Sequence, residues 1–131
     1  CLVGSEMCIR DRTLNKETAV VTDNDGNIEA VKKKYKEYEE IQCIHICVDE
    51  VVDTGDLKLS DKDFNYNTLE PKILKENGRE AMNNIFGTNY DTDDEMHKYM
   101  HAHKTDCAIA IFESATKIKY PEYIMRAIKN E

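Results

Sequence analysis

The chain has 131 residues, 26 acidic against 18 basic side chains and a net charge of -8, so it is one small domain in length and carries no general nucleic-acid footprint. Any contact with DNA would have to be local, bridged by a metal, or made by another part of a larger protein. No apolar run is long enough to span a bilayer, and there is no repeat, low-complexity tract or leader with an apolar core.

The opening CLVGSEMCIRDR shows neither strand alternation nor a helical stripe. Leu2 to Asp11 read as the translation of CTC GTG GGC TCG GAG ATG TGT ATA AGA GAC, a string like a transposase-type sequencing adapter. Residues 1–12 are therefore expected to be an artefact, with native sequence missing upstream of Thr13. Outside this stretch remain Cys43, Cys47 and Cys107, an odd number without a CxxC pair. They point to neither a disulfide framework nor a zinc site, and a reducing cytoplasm is the expected compartment.

From Glu17 the elements come in order. Glu17 to Val21 is an apolar, β-prone run that stops at DNDG, a buried strand ending in a loop. Asn27 can cap a helix on which Ile28, Val31, Tyr35, Tyr38 and Ile41 recur at helical spacing. Cys43 to Val52 reads as a second strand, apolar on both faces until Asp49. Strand, helix, strand predicts a parallel βαβ unit with a right-handed crossover. Residues 53–67 read as an aspartate-rich loop with a short strand at Leu57 to Leu59. A helix from Thr68 and Pro71 to about Asn77 follows, then Gly78 and a helix over REAMNNIFG. Asp91 or Thr92 caps one long helix, DDEMHKYMHAHKTDCAIAIFES, with Met96, Met100, His103, Cys107, Ala110 and Ile111 on its apolar face. The last helix, YPEYIMRAIKN, takes Pro121 in its first turn. No linker composition marks a second domain.

The chemistry concentrates at Asp23 and Asp25. On an extended strand end, a spacing of two puts both carboxylates on one side, and Gly26 turns the chain away. Two hard oxygen donors suit magnesium, which takes one or two carboxylates and keeps its waters. Without a cation, one of two close carboxylates would take up a proton. An aspartate-rich turn, in which the side chains bond their own backbone, accounts for the same residues. An EF-hand is excluded because the glycine follows too soon.

AVVTDNDG, then a helix, a second strand, NTLEPKIL and HKTDCAIAIFES…IKYPEYIMRAI together resemble the TOPRIM domain of OLD-family ATP-dependent endonucleases, from about Glu17 to Lys129. The resemblance implies an α/β fold with a TOPRIM-like, Rossmann-like parallel core, additional C-terminal helices and an N-terminal truncation. It implies that Asp23 and Asp25 hold a divalent metal, Mg2+ or Mn2+, that Glu70 of TLE serves a second metal, and that Lys104 faces the scissile phosphate. Two such metals clamp the attacking and leaving oxygens, and an ammonium offsets charge on the phosphoryl group. It further implies DNA as partner, ATP acting through a separate ATPase, and a homodimer formed by that ATPase part. The chain has no GxxxxGK[ST] loop, and the adapter-like stretch lies where TOPRIM domains carry a glutamate-bearing first strand. Glu6 is there by the adapter string. The expectation is a partial domain with little nuclease activity alone.

Other readings compete. VVTDNDGNI also resembles the start of a haloacid-dehalogenase-type phosphatase, with Asp23 as nucleophile and Asp25 as acid/base; Asp93-Asp94 departs from that pattern by opening a helix. A non-catalytic, degenerate TOPRIM interaction module is the third. Glu70 is also an ordinary first-turn carboxylate, and Lys104 an ordinary solvated lysine. His97 and His101 could share a zinc, but a solvated helix surface explains them better. His45 between Cys43 and Cys47 reads as strand alternation, KKKYKEYEE as a wet helix face, and Tyr35 and Tyr38 as core and rim.

Overall fold

The computed structural model describes residues 17–53 and 65–129. Residues 1–12 and the strand expected at Leu57 to Leu59 lie outside them. Among the described residues the chain is mixed α/β, with two strands and six helices: β1 (Thr18–Thr22), α1 (Ile28–Glu39), β2 (Ile44–Val48), α2 (Leu69–Asn77), α3 (Arg79–Phe86), α4 (Asp93–Ala102), α5 (Lys104–Glu113) and α6 (Glu122–Lys129). None of these helices is long and apolar enough to cross a membrane. The chain divides into two compact units, one running to Val52 and resuming at Glu122, the other from Asp53 to Pro121. A unit made from two separate stretches leaves no linker composition to read.

The first unit is built on β1 and β2, paired parallel with Thr18 opposite Ile44 and Thr22 opposite Val48. Parallel neighbours need a crossover, and α1 supplies it. Asn27 starts α1 by accepting a hydrogen bond from the Ala30 amide. The helix ends before Ile41, so the expected stripe shortens to Ile28 to Tyr38. No residue of α1 is fully buried; Tyr35 and Tyr38 lean on the small cluster of Val20 and Ile44. The α6 helix packs against both strands and buries Tyr123. Arg126 on α6 donates from Nη2 to the Val48 carbonyl at 2.7 Å, at the carboxyl end of β2.

The second unit is helical around Ile73, Leu74, Met82, Met96, Met100 and Cys107. Gly78, at φ +81°, lets α2 give way directly to α3. Asn83 then shapes the next connection, donating to the Tyr90 carbonyl and accepting from Thr88 Oγ1 and the Tyr90 amide. Thr92 and Glu95 form a reciprocal capping box at the start of α4.

The single long helix expected over residues 93–114 is two. His103 leaves helical geometry (φ -126°, ψ 44°) and separates α4 from α5, its ring Nδ1 3.0 Å from the Tyr99 carbonyl and its ring stacked on Tyr99. The break lets Cys107 on α5 enter the same core as Met96 and Met100 on α4. His103, expected on the apolar face, is exposed, whereas His97, expected on the wet face, is buried beside Met96 and Met100.

Candidate functional site

Asp23 and Asp25 follow the last residue of β1. The strand stops at Thr22, so the alternation that would have put both carboxylates on one side does not extend through them. Asp25 adopts the left-handed conformation at φ +49°, a state that aspartate tolerates because its short side chain bonds locally. Asp25 and Gly26 form the turn that leads into α1.

Between the two aspartates lies the residue that organises the loop. Asn24 has no exposed surface. Its Nδ2 donates to the carbonyls of Asp49 at 3.0 Å and Val51 at 2.9 Å, and its Oδ1 accepts from the Gly26 amide at 2.8 Å. Its own carbonyl accepts from the Asn27 amide at 2.7 Å. The ladder continues one step past the strands, Asp49 donating its amide to the Thr22 carbonyl at 3.0 Å. Asp49 is itself buried and accepts the Val51 amide on Oδ1. The DNDG loop is thereby tied to the carboxyl end of β2, the edge of a parallel sheet where ligands of open α/β folds gather. Asn24 and Asp49 escape a sequence reading, because within DNDG and CVDE they look like ordinary turn residues.

In the second unit, Glu70 and Lys104 come together. Glu70 sits in the first turn of α2, after the Thr68 cap, and Lys104 is the first residue of α5. Lys104 Nζ lies 2.8 Å from Glu70 Oε1; the Glu70 side chain is 14% exposed and that of Lys104 58%. Burial raises the Glu70 pKa, but the hydrogen bond from Lys104, a bond from Glu70's own backbone amide, and the nearby positive charges of Lys104 and His101 outweigh it and hold the carboxyl below its ordinary value. His97 lies on the same side, its ring 6.0 Å from that of His101 and nearly parallel to it. Burial lowers the pKa of His97 and outweighs the opposing charges of Glu70 and Asp94. Burial, with the charges of Asp106 and Glu70, pushes the Cys107 thiol up to about 11, so it stays protonated and unreactive at neutral pH.

Among the described residues, no group of three or more His, Cys, Asp or Glu side chains is arranged to hold a metal ion. His45 is exposed while Cys47 is buried, so Cys43, His45 and Cys47 do not form a trio. Any cation here would rest on one or two carboxylates and water, which magnesium accepts. Asp23 and Asp25 share one anchored loop, and Glu70 already holds a cationic group, the Lys104 ammonium, against a largely buried carboxylate. Comparison with known proteins finds no matching family, no matching curated protein and no matching solved structure.

Proposed function

We propose that this chain is part of a metal-dependent DNA nuclease, a TOPRIM-like module of the OLD-family type that works with a separate ATPase. Asp23 and Asp25 hold one Mg2+ or Mn2+, Glu70 serves a second, and Lys104 faces the phosphate. The metals supply Lewis-acid stabilisation of the phosphoryl oxygens. Within each unit the chain's own residues support the reading: Asn24 fixes the loop between the aspartates, and α2 and α5 bring the Glu70 carboxylate and the Lys104 ammonium together. The observation that carries the reading is the Glu70–Lys104 pair. Two residues singled out by the TLE and HKTD segments, on different helices, meet at 2.8 Å. The pairing of a parallel βαβ unit with an anchored DNDG loop supports it further. ATP dependence, and dimerisation through the ATPase part, belong to the same proposal.

The net charge of -8 makes a metal-dependent signal informative, because it disfavours general electrostatic binding to DNA. Fluorescence anisotropy of a labelled duplex at low salt is expected to rise only with Mn2+ present, and to fall back in Lys104→Met. Hydrolysis of p-nitrophenyl phosphate that is lost in Asp23→Asn, indifferent to Glu70→Gln and unaccompanied by DNA binding would replace the nuclease with a phosphatase.

A further inference from the structure

We infer that the outer face of α5 is a docking surface for an amphipathic helix of another protein, one whose apolar stripe is bordered by lysine or arginine. This stands apart from the metal reading and uses none of its residues.

The α5 helix is apolar on both of its faces. Cys107 to Phe112, CAIAIF, is an unbroken apolar run. Cys107 and Ile111 turn inward, to the core that α5 shares with α3 and α4. Ala108, Ile109 and Phe112 are left outside, at the spacing of three and four that puts residues on one side of a helix. Ile109 is 50% exposed and Phe112 84%. A helix that is apolar all round is ordinarily buried, and a contiguous exposed stripe, unlike a scattered side chain, marks an interaction site. Beside Phe112 the chain leaving α5 forms an open groove of about 370 Å³, its lining including Ile111, Ala115, Ile118 and Tyr120. An aromatic side chain at the lip of such a groove suits it to anchor a partner's bulky residue. Lys117 also lines the groove, so the inserted side chain is apolar rather than cationic.

The charges choose the occupant. Asp106 and Glu113 are both exposed and lie along one border of the stripe, next to Ile109. A partner helix with apolar anchors at the same spacing and a basic border complements both the stripe and the carboxylates. A second copy fits worse, because an antiparallel pair of α5 helices brings the two carboxylate borders together. An anionic bilayer surface is repelled by the same two side chains.

Fluorescence anisotropy of a labelled synthetic helix, with leucines at i, i+3, i+4 and i+7 and lysines along one border, tests this against a twin carrying glutamates on that border. The full chain is used, with circular dichroism confirming the fold of each variant; Phe112 is exposed enough to be changed without emptying a core. Wild type should bind the lysine helix about tenfold tighter or more than the glutamate twin. Phe112→Ser should weaken that binding by about tenfold or more. Asp106→Lys with Glu113→Lys should reverse the preference, whereas Glu29→Lys with Glu37→Lys on α1, the same change of charge elsewhere, should keep it. No binding by wild type, undiminished binding by Phe112→Ser, or an equal loss in the two charge variants overturns the docking surface. A wild-type dimer in sedimentation that Phe112→Ser dissolves gives the face to a second copy, and Phe112-dependent binding to phosphatidylglycerol vesicles gives it to a membrane; either result overturns the partner proposed.

Discussion

The two units differ most in what they bury. The helical unit closes around Leu74, Met82, Met96 and Met100, each at most 2% exposed. The strand unit buries Val20, Ile44, Cys47, Val48 and Tyr123, none below 3% exposed, and has a crossover helix with no fully buried residue; large apolar side chains meet solvent in both units, Val21 and Ile128 here and Ile109 and Phe112 in the helical one. Buried apolar area drives folding, so the helical unit, with the more completely buried side chains, is expected to be the more stable half and the strand unit the softer one. The comparison places the aspartate loop on the soft half, where side-chain hydrogen bonds rather than apolar packing hold it. Function-bearing loops are commonly drawn from the less stable end of a molecule.

The largest expected effect breaks the stable half. Leu74→Ala should cost about 2–5 kcal/mol in urea unfolding, through lost transfer energy and the cavity left behind. Native-state hydrogen exchange of the wild type should show slower amides in α4 than in α1; equal protection would remove the contrast.

Next comes the loop. Asn24→Ala leaves the carbonyls of Asp49 and Val51 and the Gly26 amide without that partner. The expected cost is about 1–3 kcal/mol, concentrated in the strand unit. Hydrogen exchange should speed up at the amides of Gly26 and Asn27 while α4 is unchanged. A loss spread evenly over both units would mean that the loop is not a local device.

The smallest effect is the pH dependence of the Glu70 pair. The folded carboxyl lies below its ordinary value of 4.5, so its ionised form favours the folded state. That contribution is complete above the ordinary value and is lost as pH falls toward and through the lowered one. In Lys104→Met the acid-side fall in stability should be shallower, read as urea midpoints between pH 6 and the acid transition. An unchanged slope would show that the pair is too solvent-screened to matter.

How much could be read beforehand follows from where each signal lives. The βαβ order was legible because apolar runs bounded by turn residues, and a period near 3.6 after Asn27, are local patterns. The starts of α2, α3 and α4 were legible for the same reason, through Thr68, Gly78 and Thr92. The break at His103 was not, because no glycine or proline marks it and the apolar spacing runs straight through from Met96 to Ile111. It exists because folding back lets Cys107 share a core with Met100, which is a tertiary gain. The pairing of Glu70 with Lys104 was not legible, since no periodicity links two helix starts so far apart, and the resemblance named each residue for a separate role. Asn24 was hidden because its partners, the carbonyls of Asp49 and Val51, are set by the fold.

The central claim is that the loop of Asp23 and Asp25 seats a divalent cation. Isothermal titration of the full chain with Mn2+ measures this most directly, comparing wild type with Asp23→Asn and Asp25→Asn. The account predicts saturable binding in wild type that either substitution weakens at least tenfold, about 1.4 kcal/mol or more. Equal binding isotherms for all three proteins would contradict it.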